Sequence, residues 1–182
     1  MAGIYTQLMT ENIPNYYGLA NSFGLMYVPG TWMESIQVSK GAAAVVNGYE
    51  SVTGQINVEY KKPDNSELLY LNAFGDSYGR LEGNFNSSTR LTDKWSTMIY
   101  GHASGNSQKD DHNGDGFLDH PLYKQYNFFN RWKFVGENFM TQFGFQYINE
   151  DRVGGQNDFS KDDERMITKP WGLNINTNRA QV

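Results

Sequence analysis

From Leu68 to the end of the chain, apolar and polar side chains alternate with a period of two, which is typical of β-strands. In the stretch 95–104, for example, Trp95, Thr97 and Ile99 share one face, while Ser96 and Tyr100 lie on the other. The pattern predicts strands in six segments, LLYLNAF, RLEGNFNSSTRL, WSTMIYGHAS, YNFFNRWKF, FMTQFGFQYINE and WGLNINTNRA. The second half of the chain is therefore predicted to be a run of about six antiparallel strands.

The connections between these segments alternate in length. LTDK and GEN are tight turns, whereas GNSQKDDHNGDGFLDHPLYKQ and DRVGGQNDFSKDDERMITK are long and polar. Neighbouring strands of about ten residues, with tight turns at one end and long loops at the other, are typical of a transmembrane up-and-down β-barrel. Aromatic residues near the strand ends would suit its two interfacial girdles; they are Trp95, Phe134, Phe139 and Trp171.

A soluble antiparallel sandwich also alternates apolar and polar positions, with the direction of the two faces reversed. Alternation alone does not decide between the two. The strand lengths and the one-sided loops favour the barrel, and so do the charged residues on the polar faces, which would suit a wet lumen; these are Arg80, Glu82, Arg131, Lys133 and Glu150.

Residues 1–66 lack the hairpin pattern and contain turn signals at IPNYYG, VPG and KKPDNS. SIQVSKG is predicted to be a strand that ends at Gly41, and GQINVEYK a second strand with Ile56 and Val58 on one face. Between them, residues 42–51 would form a compact loop hinged on Gly48. An ordinary glycine-rich β-turn would explain the same pattern.

The composition narrows the class of protein. With 15 basic and 20 acidic residues and no run of like charges, nucleic acid is not an expected partner. The absence of cysteine removes disulfides, thiol nucleophiles and Cys-type zinc sites. No stretch has the roughly 20 apolar residues of a spanning helix, and MAGIYTQLMT lacks the features of a signal peptide. We therefore expect either a cytosolic protein or one whose true beginning lies upstream.

The segment MESIQVSKGAAAVVNGYESVTGQINVEYKKP closely resembles the end of the plug domain of TonB-dependent outer-membrane receptors, where a pattern like I-E-x-I-x-V-x-K-G-P…G…G-G-x-I-N-I precedes the first barrel strand. Ala42 and Gln55 depart from that pattern and are similar to variants in receptors of the Bacteroides type. The matching positions are Glu34, Ile36, Val38, Lys40, Gly41, Gly48, Gly54, Ile56, Asn57 and Val58.

The resemblance implies a mainly β fold: the C-terminal part of a plug domain over 1–62, a linker over 63–67, and the first strands of a transmembrane barrel over 68–182. Plugged transporters of this size class close about 22 strands, so the barrel would be incomplete here. It also implies a Gram-negative outer membrane, and a TonB complex that acts through an upstream region. The cargo would be a scarce nutrient: an iron chelate, cobalamin, another metal complex or an oligosaccharide. No catalytic constellation is present, so we do not expect an enzyme.

The long connection between the third and fourth predicted strands contains DDHNGDGFLDH, in which Asp111, Asn113 and Asp115 are spaced by two and followed by Gly116 and Asp119. This spacing is typical of calcium loops, and it predicts a Ca²⁺ site in which Asp119 replaces the missing bidentate ligand. A solvated loop of Asx-turns would have the same sequence. If the loop binds calcium, the alternative protein class is a self-contained soluble β-rich module ordered by that ion.

Two further groups of residues are candidate binding sites, one for a transition metal and one for a ligand. His102, His112 and His120 could form a transition-metal cluster, although histidines spread over strand and loop are more often solvated or hydrogen-bonded. NYYGLANSFGLMYVP resembles the apical plug loop that faces the ligand in TonB-dependent receptors. On that basis the ligand-contacting residues would be Tyr16, Tyr17, Asn21 and Phe23, with local aromatic packing as the alternative.

Overall fold

The structure is a computed structural model that describes residues 6–42, 52–161 and 170–182, except for the side chains of residues 18 and 19. It divides into two compact units, and the division falls between Ser66 and Glu67. Within those ranges, no helix is both long enough and apolar enough to cross a membrane.

The first unit is a four-stranded mixed sheet with two 3₁₀ segments. Its elements are β1 (Thr6–Thr10), β2 (Ile13–Pro14), the 3₁₀ segments Gly18–Tyr27 and Gly30–Trp32, β3 (Met33–Lys40) and β4 (Gly54–Tyr60). The strand order is β2-β1-β4-β3; β1 runs parallel to β4, and the other two pairs are antiparallel. The two strands predicted from SIQVSKG and GQINVEYK are confirmed as β3 and β4, whereas β1 was not predicted. Four of the five β1 residues are buried, so this strand shows no alternation that the sequence could reveal.

A hairpin turn between β1 and β2 is held by a residue of β4. Glu11 and Asn12 both adopt positive φ angles, of 56° and 63°, as a two-residue type I′ turn requires. Asn57 lies beside this turn: its Oδ1 accepts from the Asn12 backbone N–H at 2.9 Å, and its Nδ2 donates to the Asn12 side chain at 3.0 Å. Glu11 also accepts from the Tyr60 backbone N–H at 2.7 Å. Asn57 therefore fixes the corner of the sheet, which explains why an amide is useful there.

The core of the first unit is aromatic. Trp32 and Tyr60 are fully buried and pack edge-to-face with ring centroids 6.0 Å apart. Tyr16 and Tyr27 are also buried, with centroids 5.6 Å apart. Burial of four large rings provides most of the apolar area that this small sheet removes from water.

The second unit is a six-stranded antiparallel meander in which each strand pairs with the next in the chain. Its strands are β5 (Leu69–Gly75), β6 (Arg80–Arg90), β7 (Trp95–Asn106), β8 (Leu122–Val135), β9 (Met140–Gly155) and β10 (Gly172–Gln181). The predicted six strands, tight turns and long connections are confirmed. Strands β8 and β9 reach 14 and 16 residues because both extend several positions toward the long loops, where the alternation weakens.

We predict that Gly54→Ala destabilises the first unit by about 1–3 kcal/mol. Gly54 has a φ of 150°, and a Cβ there would lie 2.4 Å from the Ser39 carbonyl oxygen, so the β3–β4 ladder must open. The measurement is limited trypsin digestion at increasing urea concentrations. It gives the concentration at which the first unit begins to be cut.

Gly30→Ala is the matched control, because a Cβ at Gly30 meets nothing within 4 Å. Equal urea resistance of the two variants would contradict the strain assigned to Gly54.

Candidate functional site

The two faces of the six-stranded sheet are buried in the opposite sense from a soluble protein. Polar side chains on one face are buried, and among them Glu150 is 0% exposed and Arg131 4% exposed. On the other face, Phe143 and Phe145 are 52% and 43% exposed. A sheet in water buries its apolar face. This sheet therefore has the surface of one that is surrounded by an apolar medium.

Burial of the polar face departs from the wet surface that was expected for it. The strongly buried polar residues of this face are Asn84, Asn86, Ser88, Ser96, His102, Asn106, Gln125, Asn127, Arg131, Lys133, Gln146, Glu150 and Arg152. Met98, Tyr100 and Ile148 lie among them and are almost completely buried. The face is a packed polar interior rather than a water-lined wall.

The apolar surface crosses the sheet obliquely. Leu81 of β6 is aligned through successive ladders with Gly105, Lys124, Asp151 and Asn176, so this row changes from apolar to polar. A row nearer the tight turns changes in the opposite sense, from Thr89 and Thr97 to Trp132 and Phe143.

Strands that are tilted to an apolar layer produce this oblique boundary. Neighbouring strands are roughly 4.8 Å apart and would be tilted by about 45°. A row of paired residues then shifts by about 14 Å along the normal of the layer over four strand spacings. The part of the β9–β10 hairpin nearest the long loop therefore falls outside the apolar layer. In agreement, Asp151 makes an ion pair with Lys161 at 3.1 Å there.

Aromatic side chains gather at the two ends of the apolar face. At the tight-turn end, Trp95 lies 4.9 Å from Phe134 and 6.4 Å from Trp132 between ring centroids, and Phe134 lies 5.2 Å from Phe139. At the long-loop end, Trp171 lies 6.3 Å from Phe117. The predicted end positions of Trp95, Phe134, Phe139 and Trp171 are confirmed, and aromatic belts of this kind mark the two boundaries of an apolar layer.

A polar side chain on the apolar face has its hydrogen bonds satisfied within the sheet. Asn130 donates to Thr97 Oγ1 and to the Met98 carbonyl oxygen, both at 3.2 Å, and it accepts from Trp132 Nε1 at 2.6 Å. An amide with three partners costs little in an apolar medium, whereas an unpaired one costs several kcal/mol.

The polar interior contains a network centred on Asn84. Its Nδ2 donates to Asn72 Oδ1 at 3.1 Å and to Glu82 Oε1 at 2.9 Å, and its Oδ1 lies 2.8 Å from His102 Nδ1. The other ring nitrogen of His102 lies 3.0 Å from Ser104 Oγ, and Arg80 forms a 2.6 Å ion pair with Glu82. Both ring nitrogens of His102 therefore have partners within the sheet, on β6 and on β7.

A second polar group lies on β8 and β9 near the long loops. Arg152 donates to Glu150 through both Nε and Nη2, and its guanidinium lies 4.7 Å from the centre of the Tyr123 ring. Both carboxylate bonds use Oε1; Glu150 Oε2 is buried and has no hydrogen-bond partner among the described residues. This ion pair joins two residues of β9, and the contact of Arg152 with the Tyr123 ring reaches across to β8.

The predicted calcium loop forms a series of Asx-turns. Asp111 accepts from the Asp115 and Gly116 backbone N–H groups at 3.1 and 3.0 Å, Asn113 accepts from Asp115 N at 3.1 Å, and Asp115 accepts from Phe117 N at 2.8 Å. Gly114 and Gly116 have positive φ angles of 69° and 84°. Calcium binding by Asp111, Asn113, Asp115 and Asp119 stays a prediction, and the loop's shape is explained by these hydrogen bonds.

The residues predicted from the apical plug loop divide into two pairs. Tyr16 is 3% exposed, and Asn21 is 8% exposed and donates to the Thr6 carbonyl oxygen at 3.1 Å. Both side chains are packed within the first unit in this arrangement, and ligand contact by Tyr16 and Asn21 stays a prediction. Tyr17 is exposed and Phe23 half-buried, so these two can reach a ligand.

The plug-motif residues lie at the β3–β4 corner. Lys40 is opposite Gly54 in the ladder, and Gly41, with a φ of 86°, donates its N–H to the Thr53 carbonyl oxygen at 3.0 Å. Asn57 holds the β1–β2 turn, while Gly48 lies outside the described residues. The described residues of the motif therefore stabilise the fold of the first unit. The hydrogen bonds between Asn57 and Asn12 could not be predicted from the sequence.

Comparison with solved structures shows what fold this is. The chain is similar to the siderophore receptor PirA from Acinetobacter baumannii, with a TM-score of 0.55, 20% identity, and coverage of 85% of this chain and 25% of that one. It is also similar to the ferric enterobactin receptor PfeA in complex with BCV-L6, with a TM-score of 0.58, 15% identity, and coverage of 87% and 28%. The R480A mutant of PfeA from Pseudomonas aeruginosa, in complex with enterobactin, matches with a TM-score of 0.54, 16% identity, and coverage of 84% and 26%.

No family model matches the chain, and no curated protein matches it either. The chain spans about a quarter of the length of the solved receptors that it resembles. It therefore has the fold of a portion of such receptors, which confirms at the level of the fold the resemblance seen in the sequence. The Bacteroides-type qualifier stays a prediction.

We predict that Asn84→Leu destabilises the six-stranded sheet by about 1–3 kcal/mol, because Asn72, Glu82 and His102 each lose a buried partner. The measurement is the urea midpoint of the natural protein. Asn138→Leu, at an exposed turn position, is the control. Indistinguishable midpoints for the two variants would show that the Asn84 network contributes nothing.

Proposed function

We propose that this chain is part of a TonB-dependent receptor in the outer membrane of a Gram-negative bacterium. In this proposal residues 1–62 are the C-terminal part of the plug, 63–67 the linker, and 68–182 the first strands of the barrel. The observation that carries it is the inverted burial of the six-stranded sheet, with Glu150 buried and Phe143 exposed. The likeness in fold to siderophore receptors supports it independently.

The two outer strands of the sheet have edges that require partners in this setting. Among the described residues, β5 pairs only with β6, and β10 only with β9. Lipid does not tolerate unpaired backbone N–H and C=O groups. We therefore propose that further strands of the same receptor pair with both edges and close the barrel.

For the cargo, we propose an iron chelate. Cobalamin, other metal complexes and oligosaccharides are the chemical alternatives for such a receptor. The solved receptors of similar fold are described as siderophore and ferric enterobactin receptors, which favours the chelate. Uptake would be energised by a TonB complex that acts through a region upstream of this chain, and the chain itself contributes binding and anchoring rather than catalysis.

The alternative, a soluble β-rich module ordered by calcium, is not favoured. It requires the apolar face of the sheet to be covered, yet large side chains such as Leu71, Phe128 and Phe145 are 68%, 41% and 43% exposed. Soluble monomers rarely expose a contiguous apolar surface of that extent.

The location predicts a result on an immunoblot. An antibody raised to residues 105–122 should detect an outer-membrane band that is several times larger than this chain and that changes mobility on boiling, because closed barrels resist detergent until heated. A soluble band at the size of the 182-residue chain would contradict the proposal.

If the apolar face contacts lipid as proposed, an arginine placed on that face should lower the free energy of unfolding. We expect Phe145→Arg to destabilise the protein by about 2–4 kcal/mol in vesicles, as for Arg near the middle of a bilayer. Asn176→Arg, on the same face but in the part of β10 expected outside the apolar layer, should cost less than about 1 kcal/mol. Urea unfolding in vesicles measures both values. If Phe145→Arg were as harmless as Asn176→Arg, the apolar face would not be in lipid.

A further inference from the structure

The long loop between β7 and β8 closes on itself through a pair of aspartates. Asp119 donates its backbone N–H to the Asp110 carbonyl oxygen at 2.9 Å, and Asp119 Oδ2 accepts from the His112 backbone N–H at 2.8 Å. Leu118 also donates to the Gly155 carbonyl oxygen at 2.8 Å, which ties the loop to the end of β9. The main chain therefore brings the side chains of Asp110, His112 and Asp119 to one place.

Three ligand atoms of different chemistry converge there. One atom from each of Asp110, His112 and Asp119 lies within 4.8 Å of the other two, and His112 Nδ1 is 2.6 Å from Asp110 Oδ1. A fourth group is near, because His120 Nδ1 lies 3.8 Å from Asp110 Oδ2. Ligands at about 2.0–2.2 Å from a tetrahedral ion stand roughly 3.4 Å apart, so small side-chain movements would admit one.

Two further observations show that this cluster is partly preformed. Asp110 Oδ2 is buried and accepts no hydrogen bond among the described residues, so it holds an uncommitted lone pair toward His120. The ring of Tyr78, in the β5–β6 turn, lies 6.0 Å from the His112 ring and 5.1 Å from the His120 ring between centroids. One aromatic ring thus holds both imidazoles beside the same carboxylate.

The ligand types select the class of ion. Calcium takes oxygen ligands, and the oxygens predicted for it on Asp111, Asn113 and Asp115 accept backbone N–H groups in the turns described above. Imidazole with carboxylate suits zinc, copper or nickel.

We propose that Asp110, His112 and Asp119, with His120 as the fourth ligand, bind a divalent transition-metal ion such as Zn²⁺. The ion would fasten the loop that follows β7. This site does not depend on the proposed uptake function, since it is built entirely from one loop and the turn beside it.

The test is calorimetric titration of the natural protein in detergent with Zn²⁺. We expect one ion per chain at this site, and an affinity that falls at least about tenfold in His112→Ala and in Asp119→Asn. The His112 side chain is 74% exposed, so its removal should leave folding intact, and unchanged heat-modifiable mobility checks this. Asp93→Ala is the control, because it removes an exposed carboxylate from the tight turn between β6 and β7, outside the proposed site, and it should leave zinc affinity unchanged.

Binding of Cu²⁺ provides a second measurement, which reports directly on the ligand atoms and not on the fold. Electron paramagnetic resonance of bound Cu²⁺ should show coupling to imidazole nitrogen that His112→Ala reduces. The proposal would be overturned by zinc binding that His112→Ala and Asp119→Asn leave intact, or by no zinc binding at all. It would equally be overturned by an ion that is lost in Asp115→Ala but kept in His112→Ala, since that result describes an oxygen-ligated calcium site.

Discussion

In the proposed membrane location, backbone hydrogen bonding in the absence of water is the constraint on which the six-stranded sheet depends. A strand in hydrocarbon has no alternative partner for its N–H and C=O groups, so each strand must be paired along its length. The meander meets this need in its interior, where β7 and β8 are paired along almost their whole length on both sides. Most large apolar groups of the central strands then face outward, and most of their polar groups lie on the opposite face, where many of them bond to one another.

Much of this could be predicted from the sequence, because the two-residue period assigns side chains to faces without reference to the surroundings. Tyr126 and Phe128 were placed on one face of β8 with Trp132, and the structure agrees. Which face is buried could not be derived in this way, since a soluble sandwich has the same alternation. That information came from strand length and loop asymmetry, and the burial of Glu150 supplies it directly.

The first unit was harder to predict for physical reasons that particular residues illustrate. Strand β1 is buried along most of its length and pairs in parallel with β4, a partner far away in the sequence, so no local period announces it. Asn57 was identified as a motif position, but its role depends on the turn at Asn12, which only the folded chain brings close. Tyr16 and Asn21 were predicted as ligand contacts from a resemblance of their segment to an apical plug loop, and their burial by residues distant in sequence could not be predicted from that resemblance.

The loop after β7 shows the same limit at a candidate site. Spacing by two suggested that Asp111, Asn113 and Asp115 converge on an ion, whereas each finds a backbone N–H group nearby. The convergence that does occur joins Asp110 and His112 to Asp119 across the loop. The sequence pattern thus pointed to this loop, while the hydrogen bond between Asp119 N and the Asp110 carbonyl oxygen brings together a different set of side chains.

Side-chain exposure to lipid is the central claim, and adjacent residues of β8 test it most directly. These 182 residues contain no cysteine, so single spin labels can be placed at Phe128→Cys and Asn127→Cys in a variant of the natural protein from which any other cysteine has been removed, in vesicles. We expect the label at 128 to collide with oxygen dissolved in the lipid and to be shielded from a water-soluble nickel complex, whereas the label at 127 is shielded from the lipid. A label at 128 that the nickel complex reaches freely, with no preference for oxygen, would contradict the placement of the apolar face in a membrane.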